Sequence, residues 1–373
     1  MNDALTDTTL KTEHPSKSTS RLAFHNPFSK KVWALLLLVL ALLIVFLLSL
    51  VLGSVNIPFD QVITILLGGE AEKSSWVNIV IKFRLPRALT AVLAGGALSI
   101  AGLLMQTFFR NPLAGPFTLG ISSGASLGVA LVVLSFGTVG GQLLAGFGLQ
   151  GDLILALAAS AGAALSMLLV LFMARQIQSS MTLLILGLMF SYMTGAGVSL
   201  LMFFAIPERI QAYVNWTFGS FNSVTGSQIP ILAVSVGAGL LICILIGKSL
   251  NALLLGEAYA QSMGINILRL RLYIVLATAT LAGAVIAFCG PISFIGIAVP
   301  HLSRALFNTS DHRLLLPVSL IIGALVGLLG ALIAEVPGSN LILPLNAVMA
   351  MIGAPILIWV ILRQRNLQKA FAS

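Results

Sequence analysis

Charge is scarce in this chain. Asp, Glu, Lys and Arg make up 8% of its 373 residues, where soluble domains carry roughly 25%. A soluble fold is excluded, because 58% of the residues are hydrophobic and a core of this size cannot hide them all. Lipid must be the solvent for most of the surface. Cysteine is almost missing too. Cys243 and Cys289 both lie inside apolar runs, which leaves no basis for a disulfide framework or a cysteine-based metal site. There is no G-x-x-x-x-G-K-[ST] loop, so a phosphate-gripping nucleotide site of that kind is absent. No apolar run carries Asp, Glu, Lys or Arg near its middle. Ion-coupled carriers and pumps normally work through such groups, so their absence speaks against an ion-coupled secondary carrier and against an intramembrane enzyme. His301 stands inside an apolar stretch without a second ligand at metal spacing, and it reads as structural.

What is present is a series of ten apolar runs, each about long enough to cross or enter a bilayer. They are Val32 to Val51, Ala88 to Phe108, Phe117 to Leu134, Leu153 to Met173, Leu183 to Phe204, Ile229 to Ile246, Leu272 to Cys289, Ile292 to Leu306, Leu314 to Ile333, and Leu341 to Leu362. The eighth opens beside Pro291 and is short, as expected of a partial helix buried among others. The first is too long and Leu-rich for a cleaved signal peptide. Residues 1–31 are polar and aperiodic and read as a disordered cytoplasmic tail. Residues 32–373 read as one ten-helix transmembrane domain. The 35 glycines suit helices that pack through small side chains in lipid. With both termini cytoplasmic, fifteen of the twenty Lys and Arg residues fall inside, which is the positive-inside asymmetry. These cations stand singly or in pairs, so the net charge of +9 reports topology and not nucleic acid. The fold class is therefore all-α and polytopic. The second and seventh runs each open a group of four, as in an inverted repeat.

Three polar segments look ordered. Arg84-Leu85-Pro86-Arg87 places two cations at the predicted outer start of the second span, with Pro86 suited to a helix start. Both cations oppose the helix dipole and the charge bias, so something acidic outside would account for them. Leu250 to Leu268 repeats Leu, Ala and Met at helical spacing and predicts a short amphipathic helix on the inner face. It could lie on lipid or enter a partner's cleft. Phe108 to Pro116 carries two prolines and a glycine and predicts a fixed inner turn.

In order along the chain, these stretches resemble the permease subunits of iron-siderophore, haem and cobalamin ABC importers. The resemblance rests on R-L-P-R to L-G-I-S-S-G-A (Arg84 to Ala125), L-G-E-A-Y-A-Q-S-M-G (Leu255 to Gly264), G-P-I-S-F-I-G-I-A-V-P-H-L-S-R (Gly290 to Arg304) and I-G-A-P (Ile352 to Pro355). It implies a homodimer of this chain in a bacterial plasma (inner) membrane, a cytoplasmic ABC ATPase dimer that holds ATP and Mg, and an extracytoplasmic substrate-binding protein. The chain itself would bind no cofactor or metal and would not be an enzyme. The resemblance further implies that Arg84 and Arg87 dock the binding protein. Leu255, Gly256, Glu257, Ala260, Met263 and Gly264 would form the coupling helix, and Asn111, Leu113, Ser179 and Ser180 would lie near an inner gate. An iron-siderophore complex is the expected cargo, with haem or cobalamin as alternatives. One departure stands out: where the family shows an acidic residue and then an arginine between the last two spans, alignment puts Ala331 and Glu335. Glu335 would repel a glutamate on the binding protein or meet a partner of different charge.

Overall fold

Backbone amides find no water inside a bilayer, so runs of Leu, Ile, Val and Ala satisfy them within helices. The computed structural model describes residues 27–135, 149–177, 179–336, 338–339 and 341–370. Most of the predicted tail, with Pro337 and Asn340 of the last inter-span corner, lies outside them. The described residues form α1 (Pro27–Val51), α2 (Phe59–Leu66), α3 (Ser74–Asn78), α4 (Leu85–Phe108), α5 (Ile121–Ala130), α6 (Leu149–Gln176) and α7 (Ser180–Phe204). They continue with α8 (Pro207–Thr217), α9 (Ile229–Leu254), α10 (Glu257–Ser262), α11 (Ile267–Cys289), α12 (Ile295–Phe307), α13 (His312–Ala334) and α14 (Leu345–Ala370). No strand occurs among them. Seven helices are long and apolar enough to cross a membrane, and three shorter apolar helices lie at the third, eighth and tenth predicted runs.

Several boundaries differ from the sequence reading. Residues 27–31, assigned to the tail, already belong to α1. The second span does not begin at Pro86. A π-helical turn over Ile79–Arg84 joins α3 to α4 in one helix over Ser74–Phe108. The π turn ends two residues before Pro86, which has no N–H to donate, and the helix passes through the proline without breaking. The inner amphipathic segment is also shorter than expected. The ninth helix takes its first residues as far as Leu254, leaving six residues for α10.

Helix α4 lies at the centre of the bundle and is buried along nearly its whole length. It runs antiparallel to α13 along a seam of small residues, with Gly95 on Gly323, Ala91 on Gly327, and the Ser99 hydroxyl donating to the Ser319 carbonyl at 2.7 Å. A second seam joins α5 to α6: Gly124 meets Gly162, and Ser166 donates to the Gly120 carbonyl at 2.8 Å. Small side chains let backbones approach where lipid supplies no hydrophobic drive between helices. The helix pairings also repeat. Helix α4 packs on α13 as α11 packs on α6, α5 touches α6 and α7 as α12 touches α13 and α14, and α4 meets α11 between the groups. The carboxyl end of α4 and the amino end of α11 share one end of the bundle, so the repeat is inverted. The outer faces of α7 and α9 expose Leu200, Phe203, Val234, Ile244 and Leu245, an apolar surface of the kind that suits lipid or another helix.

Candidate functional site

The polar segments gather at two opposite ends of the bundle. At one end lie Arg84 and Arg87. Arg84 is only 5% exposed. Its guanidinium donates to the Leu50 and Val51 carbonyls, both at 2.8 Å, and to the Val55 carbonyl. These are carbonyls at the carboxyl end of α1 and just beyond it. A helix leaves its last carbonyls without partners and carries negative potential there, so Arg84 serves α1 as a distant cap. Arg87 is 3% exposed and forms an ion pair with Glu335 at the end of α13. Glu335 therefore meets an arginine of its own chain. A cavity of about 370 Å³ opens onto this pair, lined by Asn215, Ser220, Asn222 and Leu343 among others.

Loop 218–222 is fixed at the same end. The Ser220 amide donates to the Cys289 carbonyl at 2.8 Å, and the Asn346 amide to the Phe218 carbonyl at 2.9 Å. The sequence reading had no counterpart for α8, which leads into this loop. Its Tyr213 stacks on Trp216 and is buried, and burial pushes the Tyr213 phenol above its usual range.

The opposite end carries the other predicted residues. The turn after α4 is held against α12. The His301 Nε2 lies 2.7 Å from the Pro112 carbonyl; a carbonyl can only accept, so Nε2 bears the proton. Gln106 donates to the Ile297 carbonyl at 3.1 Å and accepts from Arg304 at 2.5 Å. Asn111 accepts the Leu113 amide through its side chain at 2.9 Å, and Leu113 stands exposed. Ser179 caps α7 by accepting the Thr182 amide, and Ser180 begins that helix. No hydrogen bond among the described residues joins Asn111 or Leu113 to Ser179.

Beside this turn, α10 stands off the bundle end. Ala260 is buried beneath it, while Tyr259 and Met263 are at least half exposed and stand one turn apart at spacing i, i+4; Leu255, the cap of α9 before the Gly256 bend, is exposed as well. Glu257 turns inward, accepting both Nη2 bonds of Arg271 at 2.8 and 3.0 Å. Met263 and Leu255 were singled out from the sequence; Tyr259 was left out of the predicted coupling set, although its spacing marked it. Arg271 was missed because nothing local distinguishes it from a topogenic cation. A further network ties α9 to α13: the Asn251 amide donates to Asp311 at 2.6 Å, and its oxygen lies 2.8 Å from His312 Nδ1. Exposed Asp311 caps α13 through the Arg313 amide at 2.9 Å. That bond, then the Asn251 amide, holds its carboxyl below the usual carboxylate range.

The model of the FecCD transport family matches residues 41–363. The uncharacterized ABC transporter permease protein YvrB of Bacillus subtilis is 33% identical over 84% of this chain and 89% of its own length. The vitamin B12 import system permease protein BtuC of Klebsiella pneumoniae is 35% identical over 88% of this chain and 93% of its own. The "probable iron chelatin transport system permease protein" of Helicobacter pylori is 34% identical over 79% and 86%. A solved structure described as an inward-facing metal-chelate type ABC transporter superposes with a TM-score of 0.76 at 27% identity, covering 89% of this chain and 99% of that one. A membrane bundle of this topology, with its ordered motifs and these relatives over most of its length, places the chain in the FecCD transport family as the permease of an ABC importer.

Proposed function

We propose that two copies of this chain form the membrane pathway of a bacterial inner-membrane importer of iron-siderophore complexes, crossing the bilayer ten times with both termini cytoplasmic. A pair of separate ABC ATPases that hold ATP and Mg would drive it, and an extracytoplasmic binding protein would load it. The chain itself would hold no cofactor and hydrolyse nothing. The observation that carries this reading is α10: an exposed apolar stripe on a short helix that stands at the end of the bundle holding Arg110, Lys248, Arg269 and Arg313. Cytoplasmic loops carry such excess basic charge, and a groove on a partner is what an apolar stripe of this size fits. ATP binding would move both α10 helices and rock the dimer between outward-facing and inward-facing states, because the two states contact the ATPases differently. Asn111, Leu113, Ser179 and Ser180 would edge the inner gate. The relative named for iron chelatin supports the cargo; the BtuC relative supports vitamin B12 as the second reading.

At the other end, docking of the binding protein would centre on Arg87. The cavity beside Arg87 lets an acidic side chain reach it, while Arg84 is committed to the carboxyl end of α1. Glu335 would then compete with the partner's carboxylate for Arg87. Replacing Glu335 with Gln is expected to tighten binding-protein docking about tenfold, the equivalent of roughly 1.4 kcal/mol, as measured by surface plasmon resonance on nanodisc-embedded permease. Unchanged or weaker docking would place the contact elsewhere.

Affinity purification from the native membrane tests the assembly. Recovery of an ATPase and a binding protein is expected, and titrating that binding protein with ferric siderophores, haem and cobalamin then settles the cargo. A chain that purifies alone and ignores nucleotide would overturn the reading.

A further inference from the structure

In the proposed assembly force arrives at the exposed face of α10, and the contacts beneath that helix bear on how it would leave. The short helix is flanked by Gly256 at φ +118° and Gly264 at φ +82°, conformations that residues with a Cβ seldom adopt. The chain therefore turns sharply at both ends of α10, and the helix is continuous with neither α9 nor α11. Ala260 is buried beneath it, and an ion pair ties it to α11. Arg271 of α11 is 6% exposed; its Nη2 grips both oxygens of Glu257 at 2.8 and 3.0 Å, and its Nη1 donates to the Ile177 carbonyl at 3.2 Å. Ile177 closes the last turn of α6 and lies two residues before Ser179, the cap of α7.

We propose that Arg271 is the positioning residue that passes movement of α10 to the segment between α6 and α7. The inference rests on α10 being the ATPase-facing helix. The guanidinium holds the Glu257 carboxylate through Nη2 and the Ile177 carbonyl through Nη1, two directed contacts from separate nitrogens that the single nitrogen of a lysine cannot reproduce. A cavity of about 280 Å³ adjoins the bridge, lined by Ala174, Ile177, Glu257, Gln261 and Leu268, and leaves room for Ile177 and α10 to shift together. The three groups link α10, α11 and the end of α6 through side-chain bonds.

The test uses the permease–ATPase complex in nanodiscs, with Cys243 and Cys289 replaced by Ala. Nitroxide labels are placed at Gln261→Cys with Arg313→Cys, and in a second sample at Thr182→Cys with Arg313→Cys. Electron–electron distances are measured without nucleotide and after trapping with ADP and vanadate. In the otherwise unaltered complex both distances are expected to change on trapping. With Arg271→Gln the Gln261 distance still changes and the Thr182 change is lost. The charge swap Glu257→Arg with Arg271→Glu restores an ion pair but supplies no donor for the Ile177 carbonyl, so the Thr182 change stays lost. A Thr182 change that persists in Arg271→Gln, or that returns in the charge swap, overturns the proposal. So does loss of both changes in Arg271→Gln, which would make Arg271 a support for α10 and nothing more. A complex that contains no ATPase at all would instead defeat the importer assembly itself.

Discussion

Gly102→Ala is expected to strip the protein of its stable fold, whereas Gly237→Ala leaves it intact or slightly stabilised. A Cβ built on Gly102 would overlap the main-chain carbonyl of Gly296. No rotamer relieves that overlap, because the offending atom is the Cβ itself, so α4 and α12 must separate. Separation would break the Gln106 bond to the Ile297 carbonyl and unseat Pro116 from Gly296. Overpacking a core costs roughly 1–3 kcal/mol when side chains can adjust, and a backbone-to-backbone contact offers less room to adjust. Gly237 lies on the outer face of α9 with nothing within 4 Å of the same added atom. There Ala improves helix propensity by about 1 kcal/mol. Fluorescence-detected size exclusion in detergent, with a thermal ramp, reads both. A stable Gly102→Ala protein would mean that the two helices do not touch as described.

The features legible in the sequence are those that a bilayer or the immediate neighbours impose. Bilayer thickness fixes run length, so the ten apolar runs each coincide with a helix, and the short eighth run beside Pro291 became the 13-residue buried α12. Spacing along one helix face exposed the stripe of α10. What stayed hidden was set across distance. Arg84 finds its carbonyls some thirty residues earlier in the chain, and Glu335 finds Arg87 on another helix altogether. An unpaired reading of Glu335 followed from seeing one end of that pair. Pro86 read as a helix start because proline and two arginines resemble a boundary; the π turn that carries the helix through them has no signature in residue type. Glu257 read as part of a docking face for the same reason that Arg271 escaped notice: the partner of each lies fourteen residues away, across a turn.

The face of α10 also makes the sharpest statement about assembly. Replacing Tyr259 and Met263 together with Asp is expected to abolish capture of the ATPase while leaving the permease folded. Both side chains are at least half exposed, and neither belongs to the inward contacts of α10, which are Ala260 and the Glu257–Arg271 bridge. The fold therefore loses little. An interface loses much more: an anchor of this kind, buried on binding, contributes roughly 2 kcal/mol, or about thirtyfold in affinity. Two carboxylates in an apolar groove add a desolvation penalty on top of the lost contact. Ser262→Asp places one charge on the same helix outside the stripe and serves as the control, with near-normal capture expected. Pull-down of the ATPase on immobilised permease, with size exclusion to verify folding, distinguishes the outcomes. Full capture by the double variant would remove α10 from the ATPase interface, and the Arg271 link would then have no driven end.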